Sequence, residues 1–489
     1  MHPIEPKHPA RSRLAKGVAA AAIALTAFTF TFTAPSASAA SATEPTPESI
    51  DAYLTDLYET SGVPGLSAVV TRGDEVVHAA GYGRDSNGEK VTEDTPFRVA
   101  SVSKSFTAMA VMILAEEGAV ALDEPVVDQL PGFDMADDRV DEITVRHLLN
   151  QTSGFSDTTI DVVELEEATS LEDYVARLAD DALAADPGTD WAYANPNFNV
   201  AARLVEVASG RPFEEFMEAR VFSPLGMDHS ATRDEIVDPA LGYNSLFGAW
   251  IAREEEPGLL DNAGSGGIIT SAADMGQWLI SQNGHGTQLV SPEGLEAMHT
   301  PTEVHEYGMG WGVEPDGTLV HSGNLTTFNA VEWIDPESGY GIAVMTSGAG
   351  LTDTAWSGFE GLSALVKGET PPDPGHGRQW FELVLGALSL AAVALGALAV
   401  ARSRRWAEKR SGSPLWRIGL RLIPALLPVA LFLSYPSLVS LISGGRTVTW
   451  RGTLYFALPL TVTLLIGALA GAAVVIARLV RLRSVGSAA

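Results

Sequence analysis

The chain has 489 residues, no cysteine, and 61 acidic against 31 basic residues. That length can bury a large core without disulfide staples, and the lack of cysteine excludes thiolate metal sites and a cysteine nucleophile. Residues 41–379 carry 58 acidic and 15 basic side chains, a net charge of −43, which repels nucleic acid.

Residues 1–39 have the form of a secretory signal. Lys7, Arg11, Arg13 and Lys16 precede the apolar run 18–32, and Ala37-Ser38-Ala39 supplies a small-residue cleavage pattern. A main domain is expected over residues 40–368. Within it Ile50, Tyr53, Leu54, Leu57 and Tyr58 mark an amphipathic helix, and 66–72 with 75–81 read as a hairpin across Gly73-Asp74.

Ser101-Val102-Ser103-Lys104 heads the apolar run 106–114. Val102, Phe106, Met109 and Ile113 form a helical stripe, with Gly118 as a stop. Ser101 and Lys104 therefore lie one turn apart on one face. An amine stands beside a hydroxyl that is too weak a nucleophile by itself at neutral pH. Tyr193-Ala194-Asn195 follows Trp191 in a loop opened by Pro187-Gly188, and Pro196 is expected to end any helix before it. A hydroxyl and an amide two residues apart in a loop can enter one cleft.

Strand-like runs return at 319–321, 328–334 and 340–346, and a helix over about 352–366 closes the domain. His321-Ser322-Gly323 lies on the first of these strands, where glycine is expected to clear room for a substrate against the backbone. Strands at both ends with helices between them predict one antiparallel sheet completed by both termini, beside a mostly helical part over about 102–300. His147 reads as a loop or core histidine and Asp274 as a helix-start residue, and the spacing of the histidines suggests no metal site.

Residues 369–379 read as a linker, and 380–489 as an all-helical membrane domain with spans at 380–400, 418–442 and 454–477. The first connecting loop carries Arg402, Arg404, Arg405, Lys409 and Arg410, and the tail carries Arg478, Arg481 and Arg483. The second loop has only Arg446 and Arg451. The positive-inside bias puts the first loop and the C-terminus in the cytoplasm and the main domain outside the cell. Pro424, Pro428 and Pro436 predict a kinked second span, and Gly467 with Gly471 makes one small-residue pair in the third. With no acidic residue mid-span, the helices are expected to anchor rather than transport.

In chain order, the S-x-x-K, Y-x-N and H-x-G motifs resemble those of the serine β-lactamase/penicillin-binding-protein superfamily. The resemblance is to the branch holding class C β-lactamases, D,D-peptidases and related esterases. Residues 146–155 (RHLLNQTSGF), and 263–267 (AGSGG) followed by 271–275 (SAADM), resemble two further signatures, so the likeness covers about residues 45–365. It implies an α/β (α+β) transpeptidase-like fold, an antiparallel sheet flanked by helices plus a mostly helical subdomain, with no cofactor and no metal. It also implies catalytic roles for Ser101, Lys104 and Tyr193. Ser101 would form an acyl-enzyme, Lys104 would have a lowered pKa and relay the proton, and Tyr193 would act as a phenolate. Asn195, His321, Ser322 and Gly323 would bind substrate, and the backbone N–H groups of Ser101 and Asn324 would form the oxyanion hole.

One departure is His321, where many members have lysine; a neutral imidazole binds a carboxylate less strongly than an ammonium does. This disfavours an efficient β-lactamase and leaves a D-alanyl-D-alanine carboxypeptidase-like enzyme, with a carboxylesterase or amidase as alternative. The expected partners are a small acyl or peptide substrate, such as a peptidoglycan stem peptide or a β-lactam, and the lipid bilayer. The rival class is a non-catalytic wall or β-lactam sensor, disfavoured because the cytoplasmic parts are too short for an output domain.

Overall fold

The computed structural model describes residues 44–234, 236–255, 263–443 and 446–486. The secretory signal expected over 1–39 lies outside the described residues.

The first helix, α1 (Pro47–Ser61), begins where the sequence supplies a cap: Thr46 and Ser49 form a reciprocal capping box, Pro47 is at the first turn, and Gly62 closes the helix in the left-handed region. β1 (Gly65–Arg72) and β2 (Glu75–Gly83) follow as the expected hairpin. A single 3-10 turn, Ala100–Val102, leads into α2 (Ser103–Glu116). Twelve of its fourteen residues are buried, so α2 is a core helix covered on all sides rather than an amphipathic surface helix. Pro196, expected to end a helix, instead opens α3 (Pro196–Ser209), since proline is well suited to a first helical turn.

β3 (Gly242–Leu246) and β4 (Ala249–Arg253) form a hairpin absent from the sequence reading. Its two turn residues, Phe247 and Gly248, both have positive φ (49° and 93°). Such a turn is normally announced by Asn-Gly or Asp-Gly, and Phe-Gly gives no such signal. After α4 (Ala272–Gln282) come β5 (Gly312–Val313), β6 (Leu319–Asn324), β7 (Asn329–Asp335), β8 (Tyr340–Thr346) and α5 (Thr354–Val366). The main sheet is six-stranded and antiparallel, in the order β2-β1-β8-β7-β6-β5, so both ends of the domain do complete one sheet.

Strand alternation divides the core. Leu66, Ala68, Val70, Ile342 and Val344 face α1 and α5, while Val69, Ala343 and Met345 face α2, α4 and the helical part. On that second face Phe106 of α2 stacks on Trp278 of α4 at 3.7 Å between ring centroids, fixing the helix that carries Ser101's neighbours against the sheet.

The C-terminal part holds a short helix at Ser403–Glu408 and five further helices: α6 (Gly377–Ala401), α7 (Leu415–Leu433), α8 (Tyr435–Ile442), α9 (Trp450–Phe456) and α10 (Leu458–Gly486). Three of them, α6, α7 and α10, are long and apolar enough to cross a membrane (mean hydropathy 2.5, 1.6 and 2.4), which is compatible with membrane anchoring. The helix through the expected second span is interrupted at Ser434, just before Pro436. Gly471 is a packing contact: a Cβ there would sit 2.2 Å from the Ala425 carbonyl oxygen of α7. α6 begins inside the expected linker and docks on the main domain. Arg378 and Glu382 are buried and paired at 3.2 Å. Glu382 accepts from the Gly248 N–H at 2.6 Å, and Arg378 donates to the Ser61 carbonyl at 2.9 Å.

Candidate active site

Ser101 sits in the 3-10 turn at the head of α2, half-buried, with Ala100 before it at φ 52°. A positive φ at a non-glycine residue is strained, and the surrounding packing holds it there. One turn on, Lys104 is fully buried. Its Nζ lies 3.0 Å from Ser101 Oγ, and donates to Asn195 Oδ1 at 3.0 Å and to the Ser265 carbonyl at 2.7 Å. It also lies 4.8 Å from the centre of the Tyr193 ring. Ser101, Lys104, Tyr193 and Asn195, predicted from separate motifs, therefore meet at one point.

The two further sequence signatures are what hold this point in place. Gln151, at φ 64°, accepts from the Ala194 N–H at 3.0 Å and from Asn197 Nδ2 at 2.6 Å, clamping the Tyr193–Asn195 loop. The 263–267 segment runs along α2. Thr107 donates to the Gly264 carbonyl at 2.7 Å, and Ile268 N–H donates to Ser103 Oγ at 2.9 Å. Asp274 is at the start of α4 as expected, and His147 helps cap its own short helix.

The electrostatics reverse one expectation. Burial pushes Lys104 well below the ordinary range of an ammonium, and the positive charge of Arg446 adds to this. Loss of water pushes the Tyr193 hydroxyl up to about 12, opposed by its hydrogen bond with Ser101 and by Arg446. Burial thus disfavours the expected Tyr193 phenolate and favours the uncharged form of Lys104, the amine that lies beside Ser101.

The third motif also departs from expectation. His321 is buried; its Nδ1 lies 2.9 Å from the Ser322 carbonyl and its Nε2 3.0 Å from the Tyr307 hydroxyl. A carbonyl only accepts, so Nδ1 carries the hydrogen and Nε2 accepts from Tyr307. Burial, with Lys104 nearby, pushes His321 down to about 3. The imidazole is neutral and both its nitrogens are engaged within the protein. Gly323 is required by the protein itself, because a Cβ there would strike the Val99 carbonyl at 2.0 Å. β6 is pressed against the turn that carries Ser101.

Ser101, Asn195 and Asn324 line a cleft of about 310 Å³, and Arg446, Thr447 and Phe456 line it as well. Arg446 was legible only as a charge in the loop between the second and third spans. Tyr307, which fixes the tautomer of His321, has no motif around it. Among the described residues no cluster of three or more His, Cys, Asp or Glu side chains converges to hold a metal ion. Chemically, the arrangement offers a hydroxyl nucleophile, an amine of lowered basicity beside it that can take its proton, and a phenol that can give one.

A sequence model of the beta-lactamase family matches residues 50–357. Protein flp of Staphylococcus aureus (strain N315) is 27% identical over 318 residues, covering 62% of this chain and 64% of that protein, so the match spans under two thirds of that relative's length. A penicillin binding protein from Bacillus halodurans has a solved structure that superposes with a TM-score of 0.55 at 25% identity, covering 64% of this chain and 99% of that one. The octameric penicillin-binding protein homologue from Pyrococcus abyssi shares the fold, with a TM-score of 0.57 at 24% identity over 66% of this chain and 78% of that one.

Proposed function

Since this chain belongs to the beta-lactamase family of serine hydrolases, we propose that it is a membrane-anchored enzyme acting through an acyl-enzyme at Ser101. Its substrate class is D-alanyl-D-alanine carboxypeptidase-like, a peptide ending in D-alanine. The observation that carries the reading is the buried Lys104 amine 3.0 Å from Ser101 Oγ. Ser101 Oγ attacks the scissile carbonyl carbon while its proton passes to neutral Lys104. The backbone N–H groups of Ser101 and Asn324, both at the cleft, hold the developing oxyanion. As the tetrahedral intermediate collapses, Tyr193 gives its proton to the leaving amine, and the Lys104 ammonium restores it. Water then attacks the acyl-enzyme by the same route, releasing the acid and regenerating Ser101. Asn195 holds Lys104 and the substrate amide.

The catalytic part is placed outside the cell, with the first connecting loop and the C-terminus inside. The basic clusters at 402–410 and 478–483 favour this orientation. Residues Arg446 to Thr449 support it too, since they line the same cleft as Ser101 and must share its side of any bilayer.

The test is intact-mass spectrometry of the full chain after addition of benzylpenicillin, with Ser101→Ala as control. A lasting adduct absent from the control is the expected result. No adduct while the drug persists overturns the peptidase reading and favours an esterase or amidase of the same fold.

A further inference from the structure

A peptide ending in a free carboxylate needs a cation near the leaving group. In most arrangements of this chemistry the strand beside the nucleophile would be the place to look, yet His321 is neutral and both its ring nitrogens are occupied. Lys104 is fully buried, held by Asn195 and the Ser265 carbonyl and engaged with Ser101. Among the described residues lining the cleft, one other cation remains, Arg446, from the loop between α8 and α9. Its guanidinium lies 5.4 Å from the centre of the Tyr193 ring, on the side chain that would protonate the leaving group.

Arg446 is also available. Its side chain is 54% exposed, and its ion pair with Asp157 is loose, at 3.7 Å. The loop is held by a second contact, Thr447 Oγ1 donating to the Asp157 carbonyl at 3.3 Å, so the guanidinium does not have to anchor the loop alone. The remaining carboxylates at the cleft are Glu166 and Glu255, and Glu255 accepts from the backbone and hydroxyl of Thr327 and from the hydroxyl of Thr326. In a cleft edged by acids, an anionic substrate is admitted only where a cation offsets them.

We propose that Arg446, contributed by the membrane part of the chain, binds the carboxylate of the leaving group and selects substrates that carry one. This rests on the hydrolase reading above and specifies it: the main domain alone supplies the chemistry, and the loop between the membrane helices supplies the specificity. A guanidinium can meet a carboxylate with two parallel N–H···O bonds, which an imidazole cannot.

The test uses the full chain in detergent or nanodiscs and two substrates differing at one group, an N-acyl-D-alanyl-D-alanine and its C-terminal amide. The readout is the ratio of their kcat/KM values. Wild type is expected to favour the acid by about tenfold or more, Arg446→Gln to bring the ratio close to one, and Arg446→Lys to fall between. A purely structural Arg446 would lower both substrates together and leave the ratio unmoved, which overturns the proposal. The same pair is measured by binding to Ser101→Ala and to Ser101→Ala/Arg446→Gln. If wild type hydrolyses neither substrate but the acid still binds more tightly in an Arg446-dependent way, the hydrolase reading fails and the carboxylate site stands. Equal binding of acid and amide by the Ser101→Ala chain overturns the site.

Discussion

Two cations serve one cleft, and they obey opposite physics. Lys104 is carried on a core helix with no exposed surface, so desolvation works against its charge and favours an amine that can accept a proton. Arg446 is carried on the loop between α8 and α9, with its side chain half exposed. Burial is what favours a base at the lysine, whereas a guanidinium is an electrostatic anchor in either setting.

The sharpest way to break this comparison is to force a charge into the buried position. Lys104→Arg keeps a cation but removes the neutral amine, so acylation of Ser101 should fall by about 10²–10⁴-fold. Burst-phase kinetics with an activated ester would check this, and a variant retaining most activity would mean that Lys104 works as a charge.

A second test applies the same burial rule to an acid. Glu332 of β7 is fully buried, accepts from Trp278 Nε1 at 2.9 Å, and is pushed up to about 8 by desolvation from an ordinary 4.5. The folded chain therefore holds a proton that the unfolded chain releases between these values. The associated stability is full below about pH 4.5 and is lost as pH rises through about 8. Glu332→Gln should flatten that decline by an amount on the order of a few kcal/mol across the window, read by urea unfolding. His321, pushed down to about 3, has the opposite sign, adding stability as pH rises toward neutrality; it is common to both chains and cancels in the comparison.

The smallest effect links the two cations directly. The charge on Arg446 helps hold Lys104 down, so Arg446→Gln should let the Lys104 pKa rise. The acid limb of kcat/KM for a neutral ester should then move to higher pH, by roughly a few tenths of a unit at moderate salt. The groups facing Lys104 are otherwise unchanged: Ser101, Tyr193, Asn195, His321 and the Ser265 carbonyl. An acid limb that stays put would mean that solvent screens the pair completely.

Short-range pattern was readable where it is self-sufficient. The spacing of Ile50, Tyr53, Leu54 and Leu57 marks α1, short apolar runs bounded by turn residues define β1 and β8, and Ser101 with Lys104 falls on one helical face by spacing alone. Composition and length likewise identify the three apolar helices. The β3–β4 hairpin escaped because its Phe247-Gly248 turn is held in place by tertiary contact, with Glu382 of α6 accepting from the Gly248 N–H. Tyr307 escaped because it matters only through the one ring nitrogen of His321 that it occupies.

The sequence by itself determined which groups could do chemistry, because nucleophile, amine, phenol and amide are fixed by residue type and local spacing. Tertiary structure decided their charge states and company. Desolvation is a property of everything packed around a group, so only the assembled core pushes Lys104 and His321 down and Tyr193 up, toward their uncharged forms. Only the docking of a loop some 250 residues further along the chain brings Arg446 to the side of Tyr193, because such long-range contacts leave no periodic trace in sequence.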